Sequence, residues 1–453
     1  MLPNETLSSI PRDPLRCRRH RTLRFMKRGV VLLGCLALLV FAVGRAAWPD
    51  QATGAEAHPE SPGASLSPGT DLAPAPDTDL WAEYYRSQQG KVNPATVLSW
   101  GDYGRGYLAP EGRRAPNPVV GLLQPIAVAT GTDHALALTA RGTVWVWGSA
   151  RGHRDSPLPA YPPLPERMAG LDEIADIAVG EHHSLALTED GTVWSWGFNG
   201  SGQLGDGTTI SRHHPRRVMG IDGIVAIAAG YSHNLALRRD GSVWAWGNGA
   251  FGSLGDGTYF SRREPVRVVD LDDVVAIAAG GRHSMAVRQD GTVWSWGNGR
   301  SGVNGEQSKV TTYRPARVPD LEDVVAVAAG WNHSLALTHD GEVWAWGGND
   351  YGQLGLGHEQ DGSATPVRVD TIRGAKAIAA GERHSLALLG DGTVWGWGRN
   401  DYGELGEEPK IGVPLDPGPI LNLTDIVAIN ARGTHNVALQ GSSLRRLPPP
   451  LFQ

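Results

Sequence analysis

The chain has 453 residues and only two cysteines, Cys17 and Cys35. Both precede the bulk of the chain, so a downstream domain can form no disulfide and its stability rests on its core alone. Met, at 5, and Phe, at 6, are scarce. Basic excess is confined to the start: residues 1–45 hold nine Arg/Lys against two acids, and the remainder holds 32 basic against 45 acidic residues. An acidic body is poorly suited to neutralising phosphates, so it is not expected to bind nucleic acid. What the chain does have is Gly, at 60, and Trp, at 16, a profile of turns and strands rather than helices.

Residues 1–28 form a basic leader that includes Arg16, Arg18, Arg19, Arg21, Arg24, Lys27 and Arg28. Residues 29–48 are apolar, with an uncharged run from Gly29 to Gly44. As a helix that run reaches ~24 Å, short of a hydrocarbon core of roughly 30 Å. It reads as a signal peptide with imperfect cleavage sites near Ala42-Val43-Gly44 and Ala52-Thr53-Gly54, or as a short uncleaved anchor. "LLGC" at Leu32–Cys35 is a weak lipoprotein signature, and Met26 is an alternative start. Residues 49–80, rich in Pro, Ala, Ser and Asp, read as a flexible spacer. The body is therefore expected outside the cytoplasm, touching a membrane only through residues 29–48 if these are retained.

From there the sequence repeats itself about every 50 residues. The histidine of Gly-x-x-His returns at His134, His183, His233, His283, His333, His384 and His435, with Arg432 in place of the last glycine. Val-Trp-x-Trp-Gly ends at Gly148, Gly197, Gly247, Gly297, Gly347 and Gly398, one copy fewer. The missing copy lies at the other end, because "ATVLSWG" at 95–101 aligns with "GTVWGWG" at 392–398. An N-terminal strand completing the last repeat closes a circular array and removes its edges. The expectation is an all-β, seven-bladed propeller over residues 81–440 with a short tail, 441–453.

Each phrase has a physical reason. "VVAIAAG" (274–280) ends in small residues, as innermost strands converging on an axis require. Asp-Gly pairs such as Asp190-Gly191 supply a positive φ to a hairpin turn. The two indoles of each Trp strand lie two residues apart and so share a face. Trp194 and Trp196, Trp244 and Trp246, Trp294 and Trp296, Trp344 and Trp346, and Trp395 and Trp397 are therefore expected to wedge between blades. Asn199, Asn349 and Asn400 alternate with Gly249 and Gly299 at one position, which reads as a need for left-handed backbone.

These phrases, with "NGSGQLG" at 199–205, together resemble the regulator-of-chromosome-condensation repeat over about residues 95–440, in an exported, bacterial-type form. The resemblance implies a seven-bladed propeller. It also implies guanine-nucleotide exchange on a small GTPase as an alternative function. The leader argues against that function, and so does the interval of 30 to 34 residues between each Trp-Gly and the next Gly-x-x-His, which leaves no room for an inserted wedge. A related secreted inhibitor of β-lactamases, with shorter blades, makes protein binding outside the cytoplasm an alternative precedent. Gly330-Trp331-Asn332-His333 approaches the motif of a related ultraviolet receptor, but no cluster of such motifs is present.

No catalytic, cofactor or metal site is expected. One histidine per blade spreads the seven around a ring, too far apart for a metal, and each is read as bonding a turn. The Asp-Gly pairs lack the further acids of a calcium loop. Glu181 and Glu382, at equivalent positions in repeats 2 and 6, are too isolated to act as a glycosidase pair. What varies between repeats is more informative. His182, Tyr231, Arg282, Trp331 and Arg383 fall inside Gly-x-x-His and should ring one mouth. Tyr259, Phe260, Arg263, Tyr313 and Arg314 lie in the long connections. Aromatic and Arg side chains on a rigid scaffold suit protein recognition, so the expected function is a monomeric, non-catalytic scaffold with an unknown protein partner.

Overall fold

The computed structural model describes residues 95–101, 115–148, 164–305, 310–357, 362–407 and 416–441. The spans read as leader, apolar segment and spacer lie outside these residues, as do 81–94 and all of the tail but Gly441. The described residues form seven four-stranded antiparallel sheets and no α-helix. Blades 1 to 6 are continuous in sequence: residues 125–167, 174–217, 224–267, 274–317, 324–368 and 375–419. Blade 7 is composite. Its two inner strands, Ile426–Arg432 and His435–Gln440, are joined by Thr96–Trp100 and Asn117–Pro118. Thr96 pairs with Gln440 and Trp100 with Asn436, the register the aligned phrases require.

The inner strands end in small side chains because they crowd the axis. Val179, Ala229, Ala279, Ala329, Ala380 and Ala431 line a narrow channel. Arg432, at the position of glycine in the other blades, crosses it: its Nη1 donates to the Ala279 carbonyl of blade 4 at 3.0 Å.

Alternation along each strand gives every blade two apolar faces. Leu235, Leu237 and Val243 of blade 3 pack on Ile277, Ala286 and Trp296 of blade 4, and the same set recurs between blades 2 and 3. The two indoles do share a face, but not a degree of burial. The second, at Trp147, Trp196, Trp246, Trp296, Trp346, Trp397 and Trp100, is fully buried. The first, at positions such as Trp194, Trp244, Trp294, Trp344 and Trp395, is only half-buried. It sits nearer the Asp-Gly end of the strand but packs against the same inter-blade cluster, so both tryptophans wedge between blades and the second is the deeper.

The sequence suggested that the histidines bond turns; His134 Nδ1 does contact Asp133 of its own turn and His435 Nδ1 donates to the Gly101 carbonyl, but through Nε2 six of them reach the next blade. Nε2 of His134, His233, His283 and His333 bonds the hydroxyl of Ser184, Ser284, Ser334 and Ser385, at 2.8 to 3.1 Å. His183 and His384 bond Oδ1 of Asn234 and Asn436 at 2.6 and 2.7 Å. An amide oxygen only accepts, so these two imidazoles carry hydrogen on Nε2. In blades 3 to 7 the serine or asparagine then donates onward to a loop carbonyl of the preceding blade. That carbonyl also receives the buried indole: Ser284 Oγ and Trp296 Nε1 both donate to Ser253 O, each at 2.8 Å. The arrangement recurs for Trp246, Trp346, Trp397 and Trp100, on Gln203, Val303, Gln353 and Glu404. Blade 1 has Ala135 at the serine position, and His435 turns to Ser99 of its own blade, 3.1 Å away. The glycine of Gly-x-x-His makes room for the ring, since a Cβ on Gly180 would fall 2.2 Å from His183 Cε1.

The alternating Asn and Gly are not left-handed, contrary to the sequence reading. Asn199 is buried, its Oδ1 accepting from Leu204 N at 2.9 Å and its Nδ2 donating to the Thr208 and Ile210 carbonyls at 3.1 Å. A Cβ on Gly249 or Gly299 would instead fall 2.1 or 2.0 Å from the carbonyl of Phe260 or Val310. The position therefore pins the long loop or lets it close in.

Three outcomes follow from this packing. Burial pushes His183, His233, His283 and His333 down to about 3, and His384 and His435 to about 4. Between those values and ~6.5 the unfolded chain binds protons that the folded one does not, so stability falls as pH falls through that window. Each such histidine contributes a slope of about 1.4 kcal/mol per pH unit. Calorimetry from pH 7 to 5 should show a steep loss of melting temperature, and a level profile would contradict neutral buried imidazoles. Trp296→Ala should cost about 3–5 kcal/mol and Trp294→Ala distinctly less, measured by urea denaturation. Deleting residues 95–101 should leave His435–Gln440 as a bare edge and Asn117–Pro118 without its partner, and sharply increase proteolysis of the chain.

Candidate recognition face

Antiparallel order places every Gly-x-x-His turn and every long loop at the same end of the ring. The two are stitched within each blade: Phe198, Asn248, Asn298, Gly348 and Arg399 donate N–H to the carbonyls of His182, Ser232, Arg282, Asn332 and Arg383. Backbone bonds also run between blades. Tyr231 N donates to Gly280 O, Gly281 N to Gly330 O, Trp331 N to Glu382 O and Glu382 N to Gly433 O, at 2.7 to 3.2 Å. The variable residues thus form a rigid collar around the mouth.

One arc of the collar is polar. Asp133 lies 3.1 Å from His134 Nδ1 and 3.4 Å from His182 Nδ1, and Glu181 lies 3.3 Å from His182 Nε2. Burial works against charge on His182, but the two carboxylates outweigh it and hold the imidazole up at about 9. Burial likewise opposes charge on Asp133, and the two histidines hold its carboxyl down at about 2. Burial, then a hydrogen bond with Glu181, raises the Tyr231 phenol above its usual range.

The opposite arc is aromatic and cationic. Tyr231 and Trp331 meet edge to face at 4.5 Å across Gly281, where a Cβ would strike the Trp331 carbonyl at 2.7 Å. The Arg282 guanidinium lies 4.4 Å from the Phe251 ring and 5.3 Å from that of Trp331. Arg383 repeats the motif on Tyr351, at 4.7 Å from the ring and 2.6 Å from the hydroxyl. Arg399 lies over both Tyr351 and Tyr402.

A second group stands on the outer rim. Tyr259 stacks on Phe260 at 4.5 Å and approaches Tyr313 at 6.3 Å, with exposures of 57, 56 and 41%. Ile210 and Val310 occupy the position of Phe260 in blades 2 and 4 and are equally bare, each 58% exposed. Arg314 pairs with Asp270, and Arg263 is exposed. Gly252, next to Phe251, abuts Tyr313 so closely that a Cβ would lie 2.7 Å from its Cδ1. The collar and the rim are therefore one strip across blades 3 to 5.

The ten residues chosen from sequence fall in two places. Tyr231, Arg282, Trp331, Arg383 and His182 lie on the collar, and Tyr259, Phe260, Arg263, Tyr313 and Arg314 on the rim. Sequence reasoning missed Phe251, Tyr351, Arg399 and Tyr402. A signal for the first two was present: where the loop has Phe251 or Tyr351 the next repeat has Arg282 or Arg383, and where it has Ser201 or Ser301 the next has Ser232 or Asn332. Among the described residues no group of three or more His, Cys, Asp or Glu is placed to hold a metal. A cavity of about 420 Å³ opens on the opposite end among Asp320, Asp323, Asp340, Glu342 and Trp344, with Glu342 held by Arg368 and Arg373.

Comparison with known proteins fits this geometry. The RCC1-like domain matches residues 92–310 and 155–444. Human probable E3 ubiquitin-protein ligase HERC3 is 48% identical over 60 residues, 13% of this chain and 6% of the ligase. Human probable E3 ubiquitin-protein ligase HERC6 is 36% identical over 92 residues, 19% of this chain and 9% of the ligase. The chain thus spans a small part of these curated relatives. Prp20p of Saccharomyces cerevisiae, described with its binding properties to Gsp1p and histones, superposes with a TM-score of 0.68 at 25% identity, over 78% of this chain and 93% of Prp20p. Yeast RCC1 (Prp20) bound to Kap60 gives 0.68 at 25%, over 80% and 92%. Human WBSCR16 shares the fold, with a TM-score of 0.68 at 24% identity over 78% of this chain and all of that one. With the repeats, the closed ring and the matched span in agreement, the chain belongs to the family of RCC1-like domains.

Proposed function

We propose that this chain is an exported, non-catalytic, monomeric scaffold that binds a protein partner through the loop end of blades 3 to 5. The observation that carries the reading is the strip itself. Bare aromatic and aliphatic side chains at the rim run into a preorganised Arg–aromatic collar, on a ring too rigid to hide them by rearrangement. Prp20p is described with its binding properties to Gsp1p and histones and in complex with Kap60, which supports the fold as a protein-binding platform. Export rests on the basic leader and its apolar run.

Guanine-nucleotide exchange is the second reading, favoured by the likeness to Prp20p. The even spacing of the blades weighs against it. The full chain should leave the release rate of a fluorescent nucleotide from small GTPases unchanged; acceleration would replace the scaffold with an exchange factor.

Used as bait on an extracytoplasmic fraction, the full chain should retain a partner that Arg282→Ala and Trp331→Ala recover several-fold less well, with melting temperatures close to that of the parent. A large drop in melting temperature would show that these side chains pack rather than recognise. Equal recovery by all baits would remove the face from the reading.

A further inference from the structure

Among the described residues most arginines on this end are already matched. Arg212 pairs with Asp206, Arg262 with Asp256 and Arg314 with Asp270. Arg263, Arg282 and Arg300 are not, and all three are exposed on blades 3 and 4. Arg282 stands out among them, because the Phe251 and Trp331 rings hold its guanidinium while its N–H edge has no carboxylate. Stacking fixes a planar fork, and a fixed planar fork is the geometry that takes a carboxylate through two parallel hydrogen bonds. Covering that fork with an apolar surface alone would bury an uncompensated charge, which is strongly unfavourable. Whatever covers the strip must therefore bring an acid to Arg282. The rim sets the second requirement: Phe260, with Ile210 and Val310 beside it in the neighbouring blades, needs a large apolar side chain.

Resting on the scaffold reading above, we infer that the partner presents an acidic segment of polypeptide, in which a carboxylate engages Arg282 and a large apolar residue nearby covers Tyr259, Phe260 and Tyr313. Unstacked nucleic acid also offers anions and flat rings. It suits this surface less well, because Ile210 and Val310 provide no stacking platform and the chain's net charge is −6. Arg and aromatic side chains are also the residue types enriched where protein interfaces concentrate their binding energy.

Fluorescence polarisation on the full chain tests this with a short labelled peptide of Asp and Glu carrying a central Phe and Leu. Its controls are the same peptide with Lys for each acid, the same peptide with Ala for Phe and Leu, and an oligothymidylate of similar length. The acidic apolar peptide should bind at least about tenfold tighter than any control. Arg282→Ala should weaken it about tenfold, and Phe260→Ala several-fold. Arg282→Glu should reverse the preference toward the Lys peptide, a gain that a merely unfolded variant cannot show. Arg239→Ala, on the opposite end, should change nothing. Equal binding of the Lys peptide, tighter binding of the oligonucleotide, or indifference to both Arg282 variants would overturn the inference. Failure of the peptide while partner recovery still depends on Arg282 would refute the acidic chemistry and leave the scaffold reading standing. Failure of both would refute the face.

Discussion

Everything in this ring depends on one constraint: each sheet is apolar on both faces and has no stable form except between two others. The buried indole of one blade needs the leucines of the blade before it, and those leucines need the indole. Burial alone would let the sheets slide. The relay from histidine to Ser or Asn, and from there to a carbonyl shared with the indole, fixes the slide, because each bond can form at only one height. A buried relay of this type is costly to break, since every group released would be left unpaired inside the protein. Adjacent blades are thereby locked in register, and the loops at one end become a fixed surface.

Closure was legible in the sequence because the evidence for it is positional. A strand phrase missing from one end and present at the other admits few arrangements, and Thr96–Trp100 pairs with His435–Gln440 as the phrases align. Individual roles within the repeat were less legible. Asn and Gly at position 199 and its equivalents share tolerance of left-handed backbone, but they also share another property. One can bond a loop backbone that the other allows to approach. Only the position of the Phe260 carbonyl distinguishes the two. The histidine was misjudged for a related reason: its partner lies about 50 residues away, a separation that no local pattern encodes. Likewise the two tryptophans look equal in the repeat, but one sits deeper between the blades.

The recognition face was legible as composition and not as arrangement. Variation inside Gly-x-x-His pointed to Arg282 and Trp331, yet the residue that completes their stack, Phe251, belongs to the preceding repeat's loop. Its pairing with Arg282 could be noticed only by comparing loop and turn across repeats, where Tyr351 and Arg383 repeat the association. Arg432 was noticed only as a missing glycine. In space it is a strut across the channel to Ala279, which couples blade 7 to blade 4 and closes the axis beneath the collar.

The buried histidines of the ring and His182 on the collar respond to acid in opposite ways. His183, His233, His283, His333, His384 and His435 are buried and neutral, and their protonation is resisted down to about 3 or 4. His182 on the collar lies between Asp133 and Glu181 and stays protonated up to about 9. From pH 7 to 5 the histidine on the collar keeps its charge, since His182 is already protonated and Asp133, held near 2, remains ionised. Over the same range the relay loses stability. Weakened recognition in mild acid would therefore report loosening between the blades rather than titration of His182 or Asp133. The symmetric part of the repeat loses stability in acid, while at the mouth the His182–Asp133 pair keeps its charges and Glu404, which burial raises to about 7, takes up a proton beside Arg399.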